Sequence, residues 1–136
     1  MLKRQGARCK YLIDASALYP LIISGSTYDS EQFAITSLTE YEIGNVLWKE
    51  NKKNKLKDPK RIAAIFSLAM SDLSKISFES VTDVLTIATD RDLSFYDASY
   101  AYIAEKNGLT LLTEDRHLLK KCKCASSTKE ITKFVG

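Results

Sequence analysis

Tyr11-Leu12-Ile13-Asp14-Ala15-Ser16-Ala17-Leu18 is the stretch that decides the fold. Tyr11-Leu12-Ile13 is a short apolar run of the kind a buried parallel strand needs. Asp14 then stands where a helix over Ala15–Ile23 opens, with Gly25 near its end. A strand passing directly into a helix is the unit of an α/β protein.

The same alternation continues outward. Thr27 to Ala34 is polar and reads as the beginning of a short helix. Thr39 starts a helical pattern through Asn51, with Ile43, Val46 and Leu47 on one face. A lysine-rich turn over Asn51–Asp58 follows, and Pro59 suits the first turn of a helix that runs to about Leu73. Lys75–Phe78 reads as a second strand, and Ser80 and Ser94 open two further helices, the later one running to Lys106. Asn107-Gly108 is a helix stop. Leu109–Leu112 is the third strand, Asp115 opens Arg116–Lys121, Cys124–Ser126 is a short fourth strand, and a last small helix begins at Thr128. Strands separated by helices imply right-handed crossovers and a parallel sheet covered on both faces.

The bounds agree with one domain. The chain has 136 residues, 45% hydrophobic and 27% charged, which suffices for a proper core. No apolar run approaches the roughly 20 residues that cross a bilayer, so no membrane partner is expected. The basic start, Met1 to Lys10, lacks the pattern of a signal peptide. Three cysteines, an odd number, disfavour a closed disulfide framework and favour a cytoplasmic setting. Lys49, Lys52, Lys53, Lys55, Lys57, Lys60 and Arg61 fall within thirteen residues, with Lys120, Lys121 and Lys123 as a second group. Such runs are either solvated surface or a phosphate-attracting rim.

Four acids stand out: Asp14, Glu42, Asp97 and Asp115. Taken singly, each has a structural explanation. Asp14 and Asp115 suit helix N-caps. Thr39 with Glu42, and Ser94 with Asp97, match the capping-box spacing, as Ser80 with Asp83 also does. Taken together they point further. In an open parallel sheet, ligands bind beyond the carboxyl ends of the strands, where helices begin. Four carboxylates converging there raise one another's pKa unless a cation lies between them. Oxygen-only ligands point to Mg²⁺ or Mn²⁺. Ala98, Ala101 and Ala104 give the Asp97 helix a small-residue side that allows close approach to the sheet.

Other chemistries fit poorly. The single histidine, His117, leaves no room for a Ser-His-Asp triad or a multi-histidine zinc site. No Gly-rich phosphate loop occurs among five glycines. Trp48 and the seven tyrosines suit base stacking, core or partner contacts alike. A non-catalytic RNA- or protein-binding α/β module is the main alternative at this point.

The segments Tyr11–Leu18, Tyr41-Glu42-Ile43-Gly44-Asn45-Val46-Leu47, Phe95-Tyr96-Asp97-Ala98-Ser99-Tyr100 and Leu111-Leu112-Thr113-Glu114-Asp115 resemble, in order and spacing, the successive motifs of PIN-domain nucleases. The resemblance spans nearly the whole chain and is closest to the VapC-type toxin ribonucleases of toxin–antitoxin pairs. It implies a three-layer α/β/α sandwich around a parallel sheet, and cleavage of RNA with Mg²⁺ or Mn²⁺ held by an acidic cluster. Carried over by position, that cluster is Asp14, Glu42, Asp97 and Asp115, with Thr113 supporting the last acid. Glu40 competes with Glu42, but the sequence after Tyr41 favours Glu42. Asp14 and Asp97 are the expected direct metal ligands, and one unassigned carboxylate takes the proton of the attacking water. The products expected are a 5′-phosphate and a 3′-hydroxyl. The resemblance further implies a homodimer and a small VapB-type antitoxin partner. A PIN-like DNA or flap nuclease is the other reading within the resemblance. The start before Asp14 is longer than usual for the family, so residues 1–9 are expected to be an unstructured extension ahead of one nuclease domain over residues 10–136.

Overall fold

The structure is a computed structural model that describes residues 9–130. Residues 1–8, most of the expected extension, lie outside that range. Five strands form one all-parallel sheet: β1 (Tyr11–Ile13), β2 (Phe33–Ile35), β3 (Ser74–Lys75), β4 (Thr110–Leu112) and β5 (Ala125–Ser126). Their order across the sheet is β3-β2-β1-β4-β5. The chain therefore builds outward from β1 to one edge, then returns to build outward from β4 to the other. The reversal falls between β1 and β4, which pair in register Tyr11↔Thr110, Leu12↔Leu111 and Ile13↔Leu112. Asp14 N–H extends this pairing by donating to Leu112 C=O at 3.1 Å.

Six α-helices connect the strands: α1 (Ala15–Ile23), α2 (Ser37–Lys52), α3 (Pro59–Ser71), α4 (Val81–Arg91), α5 (Phe95–Lys106) and α6 (Arg116–Lys121). Side chains alternate across a strand, so the three inner strands β1, β2 and β4 feed two cores. Leu12, Ala34 and Leu111 face a core completed by Val84, Tyr100, Ile103 and Leu118 of α4, α5 and α6. Ile13, Phe33, Ile35 and Leu112 face a second core completed by Leu18, Ile43 and Phe66 of α1, α2 and α3. This is the expected α/β/α sandwich. Among the described residues no helix is long and apolar enough to cross a membrane.

Three local expectations need correction. The polar segment read as the start of a helix contains only a 3-10 turn, Ser30–Gln32, and then the strand β2. Phe33 and Ile35 are buried, and a central position in the sheet overrides the helix-like polarity of Asp29-Ser30-Glu31. The long second helix begins at Ser37, not Thr39. Its N-cap is Thr36, whose side chain forms a capping box with Thr39 at N3. The strand expected at Lys75–Phe78 is only Ser74–Lys75, because it pairs on one side alone, with β2.

Candidate active site

The topological reversal opens a cleft beyond the carboxyl ends of β1 and β4, the place where an open parallel sheet binds ligands. Its cavity of about 370 Å³ is lined by Asp14, Ala15, Ser16, Tyr41, Glu42, Asn45, Val46, Asp97, Tyr100 and Asp115. The four acids singled out from the sequence all face this one space. Thr113 lies beneath it, fully buried. No lysine or arginine is among the lining residues.

Each acid arrives by a different local device. Asp14 is the N-cap of α1, and Asp115 is the N-cap of α6. Asp115 Oδ1 accepts the N–H of His117 at 2.8 Å and of Leu118 at 3.1 Å. Asp97 is the third residue of α5, capped by Ser94, whose hydroxyl accepts the Asp97 N–H at 3.1 Å. Glu42 is the sixth residue of α2, one turn beyond the capping box. The Thr39–Glu42 box expected from spacing is therefore not formed, and the Glu42 side chain takes no part in the capping.

Asp14 is the most tightly held. It is 5% exposed, and its two oxygens are served by three donors. The Ser16 hydroxyl donates to Oδ1 at 2.6 Å and the Ala17 N–H to Oδ1 at 3.1 Å, while the Thr113 hydroxyl donates to Oδ2 at 2.5 Å. Both hydroxyls are oriented in turn by backbone N–H groups. Glu114 N–H donates to Ser16 at 2.9 Å, and Asp115 N–H donates to Thr113 at 3.0 Å. The β4–α6 loop thus locks Asp14, and it also delivers Asp115.

Electrostatics set this cluster apart from ordinary surface acids. Burial pushes the Asp14 carboxyl up, against the bonds from Ser16, Thr113 and Ala17, with the Asp115 charge adding to the rise. Burial raises Glu42 as well, opposed by a bond from Tyr100 and reinforced by Asp14, Asp97 and Asp115. Asp97 is raised by burial and then by the Asp115 charge, with His117 and Ser94 acting the other way. Asp14, Glu42 and Asp97 are thus each made harder to ionise, first by burial and then by neighbouring carboxylate charge.

The donor set suits a hard cation. It is all oxygen and anionic, and among the described residues no lysine or arginine lines the cleft. Among the described residues no three acids stand close enough to close on one ion as they are. The cleft nevertheless has room for an ion that keeps several waters, as Mg²⁺ does, at roughly 30 Å³ per water.

Comparison with known proteins identifies the family. The PIN domain family model matches residues 11–123. The chain belongs to the PIN-domain family. Exonuclease VapC9 of Pyrobaculum aerophilum is 43% identical over 121 residues, covering 85% of this chain and 88% of that protein. Ribonuclease VapC3 of the same organism is 29% identical over 123 residues, covering 82% and 94%. Within the family the chain is a VapC-type nuclease. The crystal structure of PAE2754 from Pyrobaculum aerophilum superposes with a TM-score of 0.84 at 38% identity, over 93% of this chain and 94% of that one. A toxin–antitoxin complex from Klebsiella pneumoniae gives 0.61 at 16% identity, over 87% and 97%, a likeness of fold alone.

Two lining residues of this PIN domain had no role in the sequence reading. Ser16 follows Asp14 by two, a spacing at which a hydroxyl can fold back on a carboxylate. Tyr100 sits one turn beyond Asp97, and its only outward signal is a phenol on an otherwise alanine-rich helix side.

Proposed function

We propose that this PIN domain is an Mg²⁺- or Mn²⁺-dependent endoribonuclease, and that it serves as the toxin of a type II, VapBC-type pair. The observation that carries this reading is the gathering of Asp14, Glu42, Asp97 and Asp115 on one cleft that no lysine or arginine among the described residues lines. A hydrolase acting on a polyanion would be hindered by such a site unless cations are held there.

In this reading Asp14 and Asp97 hold the metal directly, and Glu42 and Asp115 hold it directly or through water. A divalent cation so placed would neutralise the phosphate oxygens and activate water. Thr113 and Ser16 keep Asp14 in place with both oxygens satisfied. One of the carboxylates accepts the proton of the attacking water. Exposed Tyr41 and Tyr96 stand beside Glu42 and Asp97 and suit base stacking. The exposed run from Lys49 to Arg61 suits the phosphates of a bound strand. RNA is therefore the favoured substrate. A small VapB-type antitoxin and a second copy of the chain are the proposed protein partners. Val81 and Leu85, exposed one turn apart on α4, offer apolar surface for the latter. Three free thiols, Cys9, Cys122 and Cys124, are in keeping with a cytoplasmic setting.

The test is cleavage of end-labelled linear RNA and of circular RNA, with Mg²⁺, Mn²⁺ or chelator, by wild type and Asp97→Asn. Metal-dependent cutting should fall in the variant by more than the ten- to hundredfold typical of losing an outer partner. Circular RNA has no ends, so its cleavage identifies endonuclease action, whereas resistance would mean exonuclease action. Equal cutting by both proteins would overturn the assignment of the cluster. Parallel single-stranded and flap DNA substrates show whether RNA is selected.

A further inference from the structure

Tyr100 joins the two helices that carry Asp97 and Glu42. It belongs to α5, one turn after Asp97, and is 1% exposed. Its hydroxyl donates to Glu42 Oε1 at 2.6 Å and lies 2.8 Å from Thr39 Oγ1. Thr39 Oγ1 in turn accepts the Thr36 N–H at 3.1 Å.

The direction of this chain is fixed. A carboxylate only accepts, so the phenolic hydrogen goes to Glu42. The contact between Thr39 and Tyr100 is then a bond only if Thr39 donates. Thr39 accepts the Thr36 N–H, and of the two oxygens its own hydrogen can reach, Tyr100 at 2.8 Å is much nearer than Thr36 Oγ1 at 3.5 Å, so it donates to Tyr100. The start is a backbone amide locked in the α2 capping box, and the end is one oxygen of Glu42. Glu42 Oε2 makes no hydrogen bond among the described residues, so it is the oxygen left for the cleft.

We propose that Tyr100 is a positioning residue for the metal-dependent reaction: through Glu42 Oε1 it fixes which carboxylate oxygen is presented to the cleft, and it couples that placement to the helix bearing Asp97. This rests on the metal-dependent reading above. A Phe at this position would keep the ring in its core and lose only the hydroxyl, leaving Glu42 free to rotate and Thr39 without its acceptor.

The experiment is a cycle of wild type, Tyr100→Phe, Glu42→Ala and the double variant. Mn²⁺ affinity is read by electron paramagnetic resonance of free Mn²⁺, and folding by circular dichroism in chelator. RNA cleavage is measured as kcat and KM. Tyr100→Phe should remain folded and bind Mn²⁺ about ten- to a hundredfold more weakly, with kcat falling more than KM rises. In the Glu42→Ala background the same change should leave Mn²⁺ affinity unaltered, because the group Tyr100 positions is gone. Wild-type affinity in Tyr100→Phe, or an undiminished loss in the Glu42→Ala background, would overturn the inference while leaving the metal site standing. Absence of Mn²⁺ binding by the wild type would overturn both. If Tyr100→Phe fails to fold, Thr39→Ser and Thr39→Ala replace it. The serine should retain Mn²⁺ affinity and the alanine should weaken it, and equal behaviour of the two would overturn the inference.

Discussion

Asp14 Oδ1 receives the Ser16 hydroxyl and the Ala17 N–H, and Oδ2 receives the Thr113 hydroxyl. One side chain thus both caps α1 and lines the cleft, so capping does not exclude the proposed role of Asp14 there. Asp97 is different, because Ser94 does the capping of α5 and the Asp97 carboxylate bears the cost of its surroundings. Burial, and then the Asp115 charge, raise its pKa above the ordinary 3.8. A folded-state pKa above the unfolded one means that the fold binds the proton more tightly. Stability then falls as pH rises from the ordinary value through the raised one, and the ionised acid remains a cost at higher pH. Asp97→Asn should accordingly stabilise the metal-free protein at neutral pH. That gain should disappear below about pH 3.5, where Asp97 is protonated whether folded or not. Urea unfolding of both proteins in chelator across this range is the check, and a variant less stable than wild type at pH 7 would contradict it. Comparing the pair also cancels Glu114, which burial pushes up but bonds from Thr128 and Ser127 hold below its ordinary range, so that its own contribution is lost as pH falls. The four acids were legible from their places after apolar runs and at helix starts. Ser16 and Tyr100 were not, because a serine in a helix and a tyrosine in a core are common, and the Glu114 N–H that orients Ser16 and the Glu42 carboxylate that meets Tyr100 lie 98 and 58 residues away.

At the level of the element, α5 decides how the site is assembled. Ala98, Ala101 and Ala104 are each fully buried against the sheet core, and α5 packs directly on β1 and β4. Small side chains bring the helix axis close, which is how Asp97 and Tyr100 reach the cleft beside Asp14. Enlarging this side should lift the helix. Ala101→Leu is expected to cost about 1–3 kcal/mol through overpacking, measured by urea unfolding. It should also lower RNA cleavage by about a hundredfold, the cost of misplacing reacting groups by roughly an ångström. Full activity in a destabilised variant would show that α5 placement does not govern the site. The alanine spacing was visible in the sequence, and so were the helix starts at Asp58-Pro59, Ser80 and Ser94. β2 was not, since its first residues read together with the polar stretch Asp29-Ser30-Glu31-Gln32 before them, whereas the equally short β1 is marked by the Asp14 that follows it. The identity of β2 comes from pairing on both sides, with β1 and with β3. The start of α2 was misplaced for a related reason. Thr36 and Thr39 are both plausible caps, and only the tertiary partner Tyr100 reveals Thr39 as an interior residue.

Over the whole molecule, charge is divided between an acidic cleft and a basic exposed run that ends α2 and opens α3, while the net charge is only +3. Net charge therefore says little about this protein, and distribution says more. A cation bound in the cleft would act on the fold as well as on substrate, since it would offset the burial and, after it, the carboxylate repulsion that raise Asp14, Glu42 and Asp97. Binding to the folded state alone stabilises by about 2.7 kcal/mol at a hundred times the dissociation constant. For a domain of this size that corresponds to a rise of about 10 °C in Tm. Mn²⁺ titrated against the wild-type protein in a melting experiment should produce this rise and saturate. Asp14→Asn should abolish it, because Asp14 is the acid held most firmly in place. Monovalent salt at the same ionic strength separates specific binding from screening, which would stabilise both proteins equally. A Tm indifferent to Mn²⁺ at millimolar levels would mean that the four carboxylates tolerate one another without a cation, and the proposed metal-dependent chemistry would lose its physical basis.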